Sequence, residues 1–339
     1  MKTNILLALM NILVLIGCSK ASNEEDPYVV IKPTDPGSTT QNTAIKGVCI
    51  FVGQAETFTD ADWQALGSSP LTDFVIIPKE ASNYGSTEEG YKSQLAPFMV
   101  TVINKLVTNK STAKIWIGTP GITSKNTPVA STSLDPVFNF LSYMRDQLGS
   151  TMWSTNIAGV YMNMEAVYGT VDYGNLTSNS CIKLMSDLST KIHSNLNTKF
   201  LWIPYYGYGS DPAEVIKRIG YVANKSTIFD YVVIQPHYYF DGTIESNITG
   251  VKYCISKQAV SYRDGTVVTS KASKTVIGPE MELDWHVVPT NNYTEYVTRY
   301  TQYVSAFAEF KGTWPIIFYW DGNLQNALSG RINPFFNSK

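Results

Sequence analysis

What most constrains the fold of this 339-residue chain is an alternation of two periodicities. Short apolar runs at 45–53, 73–79, 114–119, 158–169, 199–206, 231–238, 275–282 and 315–320 have strand length and end in Gly, Pro or polar aromatic residues. Helical patterns lie between them: a short one from Thr59, a long one over 88–107, one over 135–148, another over 180–196, and one opened by Asp211 and Pro212. The plainest is 293–307, where Tyr293, Tyr296, Tyr300, Tyr303 and Phe307 form one aromatic stripe, read here as core packing. Strands apolar on both faces, each followed by a helix, predict a parallel sheet covered by helices.

About eight such units predict a (β/α)8 TIM barrel, a single domain over 44–339. The alternative is a doubly wound open sheet. No Gly-x-Gly-x-x-Gly or Walker-type lysine loop follows any strand, and polar aromatic residues gather at many strand ends rather than at one switch point, which favours the barrel.

The first 43 residues follow another logic. Lys2 precedes an apolar stretch, 5–16, too short to span a bilayer as a mature helix, and Leu15-Ile16-Gly17-Cys18 follows at once. This ending resembles the lipobox of bacterial lipoproteins, which implies removal of 1–17 as a signal peptide and lipid on the Cys18 sulfur. The acidic stretch 19–26 resembles the tag of surface-exposed Bacteroidetes lipoproteins. Together they imply an outer-membrane lipoprotein facing the periplasm or the cell surface. Residues 18–43, with Pro33, Pro36 and Gly37, predict a flexible tether.

A net charge of −2 argues against nucleic acid or an anionic membrane surface as partner. The 21 tyrosines and 7 tryptophans suit either a carbohydrate cleft or a ring-rich core. Past Cys18, the cysteines Cys49, Cys181 and Cys254 are odd in number and lack metal-ligand spacing, and His193, His237 and His286 are scattered. Buried free thiols, no metal, no cofactor and a monomer are therefore expected.

Chemistry in a parallel barrel sits at the C-terminal strand ends. In the run 158–169, Val160, Met162 and Met164 share one face and Tyr161, Asn163 and Glu165 the other, so a polar row ends on Glu165. The fifth run ends in Tyr205 and Tyr206, and the sixth in Gln235, His237 and Tyr238. Glu280 and Glu282 end the seventh on one shared face; Trp320 and Asp321 end the eighth. His237 and Tyr238 are neighbours, so only one of them can face the site. Trp320 either floors a sugar site or plugs the barrel mouth. Carboxylates on facing strands with aromatic plates between them suit glycosidic bond cleavage, in which one carboxyl protonates the leaving oxygen and another attacks or activates water. An aromatic cleft without catalysis, a glycan-binding protein, is the alternative.

A Glu on strand four, a Tyr or His on strand six, a Glu on strand seven and a Trp on strand eight together resemble the large clan of retaining TIM-barrel glycosidases. That resemblance implies Glu165 as acid/base and Glu280 as nucleophile, with Glu282 the other candidate. The clan places Asn directly before the acid/base, whereas Asn163 here stands two residues away. The stretch 159–165 is also similar in spacing to the chitinase-type Asp-Gly-x-Asp-x-Asp-x-Glu, with Ala158, Tyr161 and Asn163 replacing the aspartates. Finally, Tyr161 onward, the Trp202-Ile-Pro-Tyr-Tyr and Gln235-Pro-His-Tyr-Tyr-Phe blocks, and Glu280-Met-Glu-Leu-Asp resemble a bacterial lipoprotein family known only as a domain of unknown function. It implies a barrel and no established activity.

Overall fold

The computed structural model describes residues 44–79, 87–121, 134–288 and 291–338. The signal segment 1–17, Cys18 and the tether 18–43 lie outside the described residues.

Eight parallel strands close into a barrel in the order of the sequence. They are β1 (Lys46–Phe51), β2 (Asp73–Ile77), β3 (Lys114–Gly118), β4 (Ile157–Met162), β5 (Lys199–Trp202), β6 (Tyr231–Ile234), β7 (Val276–Leu283) and β8 (Ile316–Trp320). The ring closes where Lys46, Gly47 and Val48 of β1 pair with Ile316, Ile317 and Phe318 of β8. The TIM barrel expected from the alternation is thus the fold observed.

The principal helices follow the strands in turn. They are α1 (Asp60–Ser68), α2 (Ala96–Asn109), α3 (Leu134–Asn156), α4 (Ser180–Lys191), α5 (Pro212–Gly220), α6 (Ser246–Lys257), α7 (Thr294–Phe307) and α8 (Leu324–Ala327). Their starts are chemically marked. Thr59 and Asp62 form a reciprocal capping box on α1, Asn179 caps α4, and Asp211 caps α5 with Pro212 in its first turn. Helix α3 runs beyond the expected Leu148, with a break at Gly149, whose φ of 77° lies in the left-handed region. Strands β5 and β6 are shorter than their apolar runs, since Pro204 and Pro236 cannot donate to a sheet ladder.

One alternation decides what faces the barrel axis. Ile45, Cys49, Val75, Trp116, Tyr161, Leu201, Ile203, Tyr231, Val233 and Ile317 pack together as the inner core. Trp116 fits because Gly159 on the neighbouring strand has no side chain; a Cβ there would lie 2.6 Å from the indole ring. Outward positions pack under the helices, as Phe318 does against Phe335 and Phe336. Cys49, Cys181 and Cys254 are buried and free. The inner face, followed toward the C-terminal end of each strand, leads to the mouth.

Candidate active site

Above β4 the alternation outlasts the ladder. Val160 and Met162 remain buried away from it while Tyr161, Asn163 and Glu165 line a cleft at the mouth, which the buried Met164 also borders. The indole N–H of Trp202 donates to the Met164 carbonyl at 2.5 Å, and the Asn163 N–H donates to Thr119 Oγ1 at 3.1 Å. These contacts fix the segment that carries Glu165. The Tyr205 N–H donates to the Glu165 carbonyl at 3.0 Å, and Gln235 Nε2 donates both to Glu165 Oε1 at 3.2 Å and to the Ile203 carbonyl at 2.9 Å. Burial, the Glu165 charge and a hydrogen bond with Glu165 push the Tyr205 hydroxyl well above its ordinary range, so it stays a donor toward that carboxylate.

Across the cleft, β7 presents Glu280 and Glu282 on its inner face, opposite Ile317 and Tyr319 of β8. Glu280 is 3% exposed, and its hydrogen-bonding contact is weak: the Cys49 thiol from β1, 3.9 Å from Oε1. Burial, then the charges of Glu282 and Glu165, raise the Glu280 pKa well above the ordinary carboxylate value. Glu282 is better supplied. The Tyr303 hydroxyl on α7 donates to its Oε2, and His237 Nδ1 lies 3.4 Å from its Oε1. That nitrogen is out of line for a hydrogen bond and, once buried, has no other hydrogen-bond partner. His237 itself adopts a left-handed φ of 58°, a conformation that costs a non-glycine residue about 1 kcal/mol or more.

Rings form an arc over these carboxylates. His237 contacts Tyr205, Tyr208 and Phe240 at centroid distances of 5.0, 4.4 and 5.7 Å, and Phe240 meets Tyr319 at 5.8 Å. Tyr319 then meets Phe51 at 5.6 Å. The cleft beneath has a volume of about 1730 Å³.

Of the residues expected at the site, Asn163, Glu165, Tyr205, Gln235, His237, Glu280, Glu282 and Asp321 are brought to this one cleft. Three others are turned away from it, which corrects their expected placement. Tyr206 is fully buried under α6, its hydroxyl donating to the Ser261 carbonyl at 2.7 Å above Gly250, where a Cβ would collide with that ring. Tyr238 points outward to Gln302, donating to Oε1 at 2.7 Å. Trp320 is 1% exposed and donates to the Cys49 carbonyl at 2.8 Å, packed beside Phe58. Each is one residue out of phase with an inward neighbour: Tyr205, His237 and Tyr319.

Sequence reasoning missed Tyr319, Tyr208, Phe240 and Cys49 as cleft residues. Tyr319 was within reach, because it is two residues from both Ile317 and Asp321 and so shares their face. Cys49 was not, since 231 residues separate it from Glu280. Tyr303 belongs to the expected core stripe, yet it also bonds a cleft carboxylate. Among the described residues no cluster of His, Cys, Asp and Glu is arranged to hold a metal ion.

No family model matches the chain. An uncharacterized protein of Methanocaldococcus jannaschii is 36% identical over 87 residues, 25% of this chain and 23% of that protein, so the chain spans about a quarter of the length of that curated relative. Solved structures to which the chain is similar are glycoside hydrolase-like TIM barrels. A GH18 chitinase from Pseudoalteromonas aurantia shares 10% identity over 84% of this chain and 99% of its own, with a TM-score of 0.44. A xylanase and α-amylase inhibitor protein from Scadoxus multiflorus shares 13% over 86% and 97%, at 0.48. A family 39 glycoside hydrolase from the gut symbiont Bacteroides cellulosilyticus shares 13% over 85% and 59%, at 0.49. At such identities the likeness concerns the barrel alone.

Proposed function

We propose that this protein is a glycoside hydrolase acting on a polysaccharide or other glycan by a retaining mechanism. The observation that carries the reading is the meeting of Glu165 from the segment after β4 with Glu280 and Glu282 from β7 beside an arc of rings in one cleft. Glu165, held by Gln235 and beside the Tyr205 hydroxyl, is the acid/base that protonates the leaving oxygen. Glu280, deeper and within the field of Glu165, is the nucleophile that forms the glycosyl-enzyme, which water then cleaves with Glu165 as base. Tyr205, His237 and Tyr319 orient the sugar, and Asn163 and Asp321 supply polar contacts at the rim.

One observation favours a second assignment on β7. A nucleophile must be ionised, and Glu282 has the Tyr303 donor and a facing imidazole, whereas Glu280 has only a thiol. In that reading Glu282 attacks and Glu280 holds a proton beside it.

The deciding experiment is hydrolysis of aryl glycosides and polysaccharides by the wild type and by E165Q, E280Q, E282Q and the alanine variants, with azide added to each inactive variant. Azide attacking in place of the lost nucleophile yields a glycosyl azide of inverted configuration; azide replacing the base-activated water in Glu165→Ala yields the retained one. If no substrate turns over while a glycan still binds, the hydrolase reading fails and a glycan-binding lipoprotein takes its place. In either reading we propose lipid anchoring through Cys18 at the outer membrane, tested by metabolic labelling with a palmitate analogue and its loss in C18A.

A further inference from the structure

The charges along the cleft bear on which glycans it takes. Its cations among the described residues are already matched: Lys79 Nζ lies 2.5 Å from Glu56 Oε1, and Arg218 Nε donates to Glu214 Oε1 at 3.0 Å. Glu165, Asp211, Glu282 and Asp321 also line the cleft, and among the described residues none of them forms an ion pair with lysine or arginine. Their hydrogen bonds come from neutral groups. Asp211 accepts from the Glu214 N–H at 3.1 Å, and Asp321 Oδ1 accepts from Gln54 Nε2 at 2.9 Å and from the Gly322 N–H at 2.7 Å. Carboxylates in a concave site with apolar walls focus a negative potential on whatever enters.

Between these groups the wall also carries open aromatic surface. Tyr208 is 44% and Phe240 38% exposed, both against His237, so ring faces are available above the carboxylates. The cleft volume of about 1730 Å³ exceeds the roughly 300–1,000 Å³ that encloses a drug-sized ligand, which leaves room for several sugar rings in a row.

Building on the glycan reading above, we infer that the cleft takes an uncharged oligosaccharide segment of several sugar residues and rejects acidic glycans such as uronates. An uronate chain would set its carboxylates against those of the cleft with no unpaired guanidinium or ammonium among the described lining residues to offset them, and like charges brought together weaken binding strongly. A neutral chain meets the ring faces and the carboxylate acceptors, which suit its hydroxyl donors.

The test is titration calorimetry on the full chain carrying E165Q, with cellohexaose, xylohexaose and mannohexaose as neutral probes and the hexamers of galacturonate and mannuronate as acidic ones. At least one neutral hexamer is expected to bind, with the acidic hexamers weaker by about tenfold or more, a gap that narrows by about threefold when D211N and D321N are added. Asn caps a helix as well as Asp does, and it keeps the oxygen that accepts from Gln54 and Gly322, so both substitutions remove charge without removing hydrogen bonds. An acidic hexamer that binds as tightly as the neutral ones, with affinity falling as salt is added, overturns the inference and leaves the glycan reading standing. A gap unchanged in D211N/D321N overturns charge as its cause. Silence from every probe removes the glycan reading itself and this inference with it.

Discussion

Two carboxylates are buried inside the same barrel, and the surrounding chain treats them in opposite ways. Asp73 opens β2 at the N-terminal end of the barrel and is 7% exposed. Burial raises its pKa, and the structure opposes that rise with the Thr72 hydroxyl at 2.6 Å, the Trp116 indole N–H at 2.9 Å and the charges of Lys114 and Lys199. Glu280, at the other end and 3% exposed, receives a thiol at 3.9 Å and the repulsion of two further carboxylates. A buried charge is normally matched by donors and cations. The matching is withheld at the open mouth and kept at the closed base, so Glu280 is the carboxylate held at a cost in stability.

The sharpest way to break this contrast is to neutralise each carboxylate in turn. E165Q and E280Q are expected to lower kcat/KM on a glycoside substrate by about 10²–10⁴-fold, while D73N leaves it unchanged in folded protein. Equal losses at both ends of the barrel would erase the distinction.

Stability should respond in the reverse order. D73A leaves the Trp116 N–H buried without an acceptor and should cost about 1–3 kcal/mol, read as a fall in Tm. E280Q should instead stabilise the protein near neutral pH by about 1–2 kcal/mol, because a neutral amide replaces a carboxyl pressed by its neighbours.

The pH dependence sharpens the comparison further. Glu280 keeps its proton in the folded state above the ordinary value of 4.5, at which the unfolded chain releases it. The folded state therefore binds more protons over that interval: its stability is full below about 4.5 and declines as pH rises toward the folded pKa. E280Q removes this decline, so Tm plotted against pH should flatten above the ordinary carboxylate range in the variant alone.

The smallest effect is expected from C49S. A hydroxyl is a better donor than a thiol, so it should ease the strain on Glu280 and reduce the pH-dependent loss by less than about 1 kcal/mol, measured on the same Tm–pH curves. A larger loss in C49S than in wild type would show that the thiol supports Glu280 better than a hydroxyl does at that position.

Much of the site was legible because strand geometry is local. Tyr161, Asn163 and Glu165 share a face by spacing alone, as do Glu280 and Glu282, and the structure keeps both sets together. His237 and Tyr238 had to diverge, and they do. The large rings misled, because size and position at a strand end do not reveal phase: Trp320 and Tyr206 are as prominent in sequence as Tyr319 and Tyr205, yet they lie outside the barrel wall.

The sequence by itself determined the alternation of strand and helix, the helix starts at Thr59 and Asp211, and the pairs of residues that must share a face, since each depends on neighbours a few residues away. Closure of the barrel decided the rest. The pairing of β1 with β8 and of β7 with β8 set which phase of each strand faces the axis, and so turned Tyr319 inward and Trp320 outward. It also carried the Cys49 thiol to Glu280, while packing of α7 brought the Tyr303 hydroxyl to Glu282. Such contacts join segments far apart in the chain, and their register is fixed only when all eight strands are paired.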